Sequence, residues 1–206
     1  MSPVFVNIHT HRPTGRGIEL RTAGIHPWEA GQLSPGQAVQ ELSAALDRGD
    51  AQAVGEIGLD FARTRTPQLR DAQTALFRAQ LDLAGRRRLP VVLHCVKAFE
   101  ETLRILGRLE FPAVIFHGFI GSARQARQAL DRGYFLSFGE RTFASPRTVE
   151  ALRSTPPSQL FLETDDSTAP IEEIYTRIAA LLSTDVETLR QITIANYLRI
   201  FPEYHG

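Results

Sequence analysis

"AQAVGEIGLDFARTRTPQLRDAQTALFRAQLDLAGRRRLPVVLHC" (51–95) reads as a strand, a helix and a second strand. Residues 51–57 are a short β-forming run. Residues 90–95, "PVVLHC", are apolar almost to their end, as in a strand covered on both faces of a parallel sheet. Between them Thr66 offers an N-cap and Pro67 fills the first helical position, opening a helix over 66–88. Ala75, Leu76, Ala79, Leu83 and Ala84 share one stripe of that helix, at spacings that suit packing on a sheet. Two parallel strands joined by such a helix form a βαβ unit.

The pattern repeats outward in both directions. Further strands are expected at 4–9, 20–25, 113–117, 134–138 and 160–163. Further helices are expected at 34–48, 97–110, 121–132, 145–154, 169–183 and 185–200. Ser34–Pro35 and Ser145–Pro146 repeat the start signal of Thr66–Pro67, and Gly49 supplies a stop. Residues 10–19, "THRPTGRGIE", are too short for a crossover helix, so the first two strands are predicted to join through a hairpin-like connection. The expected fold class is α/β, a TIM-type β/α barrel of about seven strands with an abbreviated or irregular first βα unit. It occupies 1–206 as one domain; an open doubly wound sheet is the alternative.

Composition excludes several classes. Lys plus Arg and Asp plus Glu both total 23, so the chain has no overall attraction for a long polyanion. A phosphate-bearing substrate has to be held by a local site. The single cysteine, Cys95, excludes an internal disulfide and suits a reducing compartment. "MSPVFVNIHTH" has no signal-peptide pattern, and no apolar run approaches the roughly 20 residues of a membrane helix. The expectation is a cytoplasmic protein without membrane contact or evident protein partner, monomeric by default.

Polar residues recur at one architectural position. "VNIHTHR" (6–12) places His9 and His11 on one face of an extended strand, with Asn7 in line behind them. His26 follows the second strand, Glu56 closes the third, His94 the fourth and His117 the fifth. Ser137 ends the sixth, and Glu163 with Asp165 ends the seventh. The C-terminal strand ends of a β/α barrel form the rim on which active sites are built. One histidine there is ordinarily structural; five of the six together favour metal binding. Nitrogen and oxygen donors without thiolate suit Zn²⁺, Mn²⁺, Ni²⁺, Fe²⁺ or Mg²⁺. Six donors exceed what one catalytic ion with an open position uses, and they suit two divalent ions that activate water for hydrolysis.

The ordered series "HTH" (9–11), "GIHP" (24–27), "GEIGLD" (55–60), "QTALFRAQ" (73–80), "LPVVLH" (89–94), "HGFIGS" (117–122), "GYFLSFG" (133–139), "ETD" (163–165) and "NYLRIF" (196–201) resembles the TatD family of metal-dependent hydrolases, in the amidohydrolase superfamily. The resemblance implies a TIM-type barrel in which His9, His11 and Asp165 hold one ion, Glu56 bridges to a second, and His94 and His117 complete that second site. Asp165 would orient or deprotonate the attacking water, making Asp165 and Glu56 the catalytic carboxylates. His26 would lie near a substrate phosphate. The implied activity is that of a deoxyribonuclease or phosphodiesterase, with D-aminoacyl-tRNA deacylation known in some members.

Three departures stand out. Asn7 occupies a position where the family usually has Asp. The chain is shorter than typical members between His11 and Gly24. "DSTAPIEEIY" replaces the basic segment that often follows "ETD". All three bear on substrate more than on the donors. Lys97, Arg141, Arg63 and Arg65 are candidate phosphate contacts, and Trp28 could stack on a base or simply pack. The neutral balance favours a short or single-stranded nucleic acid or a small phosphoester. Hydrolysis of a carboxyl ester or amide, and a catalytically weakened metal-binding barrel, are the competing readings.

Overall fold

The computed structural model describes residues 4–64, 66–107 and 109–202. Arg65, one of the candidate phosphate contacts, and His205 lie outside the described residues. In chain order the strands and helices are β1 (Val6–Asn7), β2 (Ile18–Glu19), β3 (Thr22–Ala23), α1 (Pro35–Asp47), β4 (Ala53–Asp60), α2 (Pro67–Arg87), β5 (Val91–Val96), α3 (Phe99–Leu106), β6 (Val114–Phe116), α4 (Ala123–Leu130), β7 (Phe135–Phe138), α5 (Pro146–Ser154), β8 (Leu160–Leu162), α6 (Ile171–Leu182) and α7 (Val186–Ile200). No helix among the described residues is long and apolar enough to cross a membrane. Two compact units emerge, residues 21–116 and residues 1–20 with 117–206.

The helix starts follow from local chemistry. The side-chain oxygens of Ser34, Thr66 and Ser145 each accept a hydrogen bond from the backbone N–H three residues on, with proline at the first helical position. Helix α1 stops at Gly49, whose φ of +74° lets Gly49 N–H reach Leu46 O at 3.1 Å and Asp50 N–H reach Ala45 O at 3.4 Å. Helix α3 is shorter than the expected 97–110. Lys97 is held at φ +51° before it, and Gly107 caps its end.

In the unit 21–116 the strands lie in the order β3-β4-β5-β6, all parallel, with α1, α2 and α3 as the crossovers. Val54, Ile57, Leu59, Val91, Val92 and Leu93 are fully buried. Strand β4 runs on to Asp60, and its register with β5 breaks between Val54 and Ile57. Glu56 therefore sits within an irregular step and not at the strand's end. Cys95 faces Thr102 of α3, its Sγ 3.4 Å from Thr102 Oγ1. Burial there pushes the thiol up to about 11.

The stripe read on α2 is rotated. Leu76, Leu83 and Ala84 are buried as expected, but Ala75 is exposed and the buried face also takes Gln73, Phe77, Gln80 and Leu81. Two glutamines are tolerated there because each pairs with backbone polar groups of other segments. Gln80 accepts from Ile25 N–H (2.7 Å) and donates to Ile25 O (3.0 Å). Gln73 accepts from Asp60 N–H (2.9 Å) and donates to Pro27 O (3.1 Å). A paired buried amide is stable where an unpaired one would cost about 1–3 kcal/mol.

In the unit formed by 1–20 and 117–206, β1 and β2 pair in parallel, Val6 opposite Ile18, so the expected hairpin-like connection is absent. The chain returns without a helix. The Glu19 carboxylate accepts from Thr14 N–H, Thr14 Oγ1–H and Gly15 N–H at 2.8–2.9 Å, closing a tight turn. Gly17, at φ +75°, passes so near β1 that a Cβ would lie 2.5 Å from Phe5 O. The run read as one strand at 20–25 is thus preceded by Ile18–Glu19 and contains only Thr22–Ala23, giving eight strands among the described residues instead of seven.

The same unit pairs β7 with β8 in parallel. The ends of β1 and β8 meet through Ile8 N–H to Leu162 O (3.1 Å), Asp165 N–H to His9 O (3.1 Å) and His11 N–H to Asp165 O (2.9 Å). Helices α6 and α7 anchor that junction from behind. Tyr175 Oη donates to Val6 O, and Asn196 donates to Pro157 O and Leu160 O.

Candidate functional site

The unit 1–20 with 117–206 brings His9, His11, His117, Glu163 and Asp165 together. Extended backbone at 9–11 sends both imidazoles the same way, their centroids 4.9 Å apart. His11 Nε2 lies 3.5 Å and His9 Nε2 3.8 Å from Asp165 Oδ1. His9, His117 and Asp165 offer ligand atoms that all fall within 4.8 Å of one another. Asp165 is presented from a left-handed backbone, φ +54°, and Gly118 (φ +50°) leaves the space beside it open. A Cβ on Gly118 would lie 3.2 Å from Glu163 Oε1. A shallow cleft is lined there by Gly118, Ile120, Arg141, Thr142, Glu163 and Asp165.

Electrostatics in this unit are those of a cation site. Glu163 is fully buried, with Oε1 3.4 Å from His117 Nδ1 and Oε2 making no hydrogen bond. Burial disfavours its charge, yet His117 and His9 outweigh that and hold its carboxyl below the usual range. Asp165 behaves oppositely. Burial first, then the Glu163 charge, push its carboxyl up against the pull of His117 and Arg141. A divalent cation among these donors would relieve that excess negative charge, so the residues present fit a metal.

In the unit 21–116, His26, Glu56 and His94 form a second such group. His94 Nδ1 is 3.1 Å from Glu56 Oε2, and His94 Nε2 is 3.4 Å from Asp60 Oδ2. Asp60 is held low. Burial pushes it up, but the Trp28 indole N–H and His94 prevail. His26 differs from the other donors. Its Nδ1 accepts from Trp28 N–H at 3.2 Å, so in the neutral ring Nε2 carries the proton. That Nε2 faces Glu56 Oε1 at 3.5 Å and His94 Nδ1 at 3.4 Å. The neutral His26 ring therefore presents an N–H donor toward the Glu56 carboxylate.

A family model for the TatD related DNases matches residues 18–202. The chain belongs to this family. The 3'-5' ssDNA/RNA exonuclease TatD of Salmonella typhimurium is 30% identical over 203 residues, covering 87% of this chain and 76% of that protein. TatD of Klebsiella pneumoniae is 38% identical over 151 residues, 70% of this chain and 56% of its own length. The Bacillus subtilis protein named uncharacterized metal-dependent hydrolase YabD is 30% identical over 197 residues, 86% of this chain and 75% of that one. Among solved structures, the TatD homologue YjjV of Escherichia coli K12 superposes with a TM-score of 0.80 at 27% identity, over 90% of this chain and 78% of YjjV. The fold is accordingly the TIM-type β/α barrel of the metal-dependent hydrolases, and divalent-metal-dependent hydrolysis is the reaction class.

Within this TatD chain the predicted donors divide between the two units. His9, His11, His117 and Asp165 lie in one; Glu56, His94 and His26 lie in the other. Lys97 is exposed immediately after β5. Arg141 is largely exposed, 3.1 Å from Asp166 Oδ2 and 4.0 Å from Asp165 Oδ2, so its charge is shared with the acidic turn. Asn7 holds that turn. Its Nδ2 donates to Thr164 Oγ1 (2.9 Å), its Oδ1 accepts from Thr164 N–H (3.0 Å), and Thr164 Oγ1 donates onward to Thr10 (2.9 Å). An Asp at this position could not make the first of these bonds.

Two buried carboxylates had no assigned role in the sequence. Glu163 stands behind His117, and Asp60 stands behind His94, each placed to fix the ring that faces the donor cluster. Both were visible within quoted motifs, "ETD" and "GEIGLD", but a second carboxylate close to the first carries no spacing signal of its own. Glu163→Gln keeps the shape and removes the charge. We expect it to weaken divalent-metal affinity about 10- to 100-fold in a calorimetric titration, whereas wild-type affinity would reduce Glu163 to a packing role.

Proposed function

We propose that this chain is a TatD-type phosphodiesterase that cleaves short or single-stranded nucleic acid, with residues 1–206 as its catalytic domain. The observation that carries the reading is the paired construction of the donors: a buried carboxylate behind a histidine in each unit, Glu163–His117 and Asp60–His94. The Salmonella relative's name, a 3'-5' ssDNA/RNA exonuclease, supports the substrate class. His9, His11, Glu56, His94, His117 and Asp165 would hold two divalent ions. Their nitrogen and oxygen donors suit Zn²⁺, Mn²⁺, Ni²⁺, Fe²⁺ or Mg²⁺. Such ions, when bound, lower the pKa of water and polarise a phosphoryl oxygen.

The protein's own groups do the rest. Asp165 accepts the proton of the attacking water, its basicity raised by burial and by Glu163. His26 donates its Nε2–H to a phosphate oxygen, in the tautomer that Trp28 N–H selects. Lys97 and Arg141 offset neighbouring phosphate charge. The single thiol of the sequence, Cys95, suits a reducing, cytoplasmic setting.

The test is metal removal with a chelator, restoration with Zn²⁺, Mn²⁺ or Mg²⁺, and a substrate panel. The panel contains bis-p-nitrophenyl phosphate, end-labelled single-stranded DNA and RNA, p-nitrophenyl acetate and D-aminoacyl-tRNA. We expect phosphodiester cleavage only after metal is restored, with strands shortened from the 3′ end. Cleavage of the carboxyl esters alone would overturn the phosphodiesterase reading. Inertness of the loaded protein on every substrate would leave a metal-holding barrel.

A further inference from the structure

Trp28 is built unlike a packed aromatic. It is 48% exposed, yet its ring is fixed at one end, because the indole Nε1–H donates to Asp60 Oδ2 at 2.7 Å. Its backbone N–H holds the His26 ring, and the His26 imidazole meets the indole edge-on at 4.6 Å. The Arg63 guanidinium lies over the indole with its central carbon 3.6 Å from the ring centroid. A flat, π-bearing group therefore already fits against this face at stacking distance, and the group that fills it is an exposed, solvent-competent cation. Burial does not account for such a ring. A tryptophan serving the core would not leave half its surface in water.

We propose that the Trp28 face, with Arg63, is a nucleobase-stacking subsite of the single-stranded substrate. A base displaces the guanidinium plane, and Arg63 turns to the phosphate that flanks that base. The proposal rests on the nucleic-acid reading above and adds to it the residue that receives a base. Every base has a π face, so the subsite tolerates sequence. The fixed indole loses little freedom on stacking, which favours binding. Asp60 joins the two tasks, since the same carboxylate oxygen, Oδ2, that anchors the indole faces His94 Nε2 at 3.4 Å. A base seated on Trp28 is in this way held in register with the donors of the unit 21–116.

Trp28 is the only tryptophan of the chain, so its fluorescence reports on this one position. Chelated protein, unable to cleave, is titrated with an oligothymidylate and with an abasic oligomer of equal length and charge. Saturable quenching by the base-bearing strand, absent or much weaker with the abasic one, is expected. In the metal-restored enzyme, Trp28→Ala is expected to reduce the kcat/KM preference for base-bearing over abasic strands about 5- to 100-fold, through KM. Trp28→Phe, which keeps a stacking face without the N–H, should recover most of that preference. Arg63→Ala should lower the salt dependence of oligonucleotide binding by about 0.7 in log–log slope, as for one lost phosphate contact on a single strand.

Cleavage of oligothymidylate without any change in Trp28 emission would overturn the subsite and leave the phosphodiesterase reading intact. Equal losses on both strands in Trp28→Ala would also overturn it, making the indole a support for Asp60 alone. If neither oligomer is bound or cleaved while bis-p-nitrophenyl phosphate is, the subsite and the nucleic-acid substrate fall together.

Discussion

Asp165→Asn is expected to lower turnover roughly 10²- to 10⁴-fold while the protein stays folded. The side chain is placed for this role. Its Oδ1 lies 3.5 Å from His11 Nε2 and 3.8 Å from His9 Nε2, in a cleft kept open by Gly118. Asn preserves volume and tolerates the left-handed backbone at φ +54°, since Asn and Asp share that preference. It removes the charge and the proton-accepting oxygen. The stability effect runs the other way. Burial, and after it the Glu163 charge, raise the Asp165 carboxyl above its ordinary 3.8, so the folded state keeps this proton to a higher pH than the unfolded chain.

Stability linked to Asp165 is accordingly highest below the unfolded value and falls as pH rises through the raised folded value. In metal-free protein, the Asn variant should match wild type at low pH and gain on it above that window. Urea melts of both proteins across pH, beside single-turnover assays, measure the two halves of the prediction. A variant that lost stability and activity together would mean that Asp165 is structural.

Gly58→Ala is expected to cost about 3 kcal/mol or more and to lower Tm by about 6–12 °C for a chain of this size. Gly58 lies in β4 at φ +144°, where a Cβ would sit 2.0 Å from His94 O and 3.0 Å from His94 C. The atoms in the way are backbone of β5, paired in register with β4, so no rotamer change relieves the clash. Separation of these strands would also pull His94 from Glu56, which are 3.1 Å apart. Calorimetric melting and a metal titration of the variant check both consequences. A melt within 2 °C of wild type would show that β4 can yield where it now runs closest to β5.

Much of this molecule is written locally. A Ser or Thr before Pro opens a helix because the side chain and the ring act on the next three residues, and α1, α2 and α5 start where those pairs stand. His9 and His11 share a face because extended backbone alternates, and they converge on Asp165. What required tertiary structure were partners far apart in sequence. Gln73 and Gln80 stand at the two ends of the quoted run "QTALFRAQ", but their roles show only when Pro27 and Ile25 supply the other halves of their hydrogen bonds. Asn7 and Thr164 explain each other across 157 residues. The parallel pairing of β1 with β2 hangs on Glu19 closing a glycine turn, which no periodicity encodes. Asp60 and Glu163 acquire roles only when a particular imidazole nitrogen is seen to face each. Capping and alternation are set by neighbours along the chain, so they survive in the bare sequence. Hydrogen-bond partnership between distant groups exists only once burial has removed the water that would otherwise satisfy them.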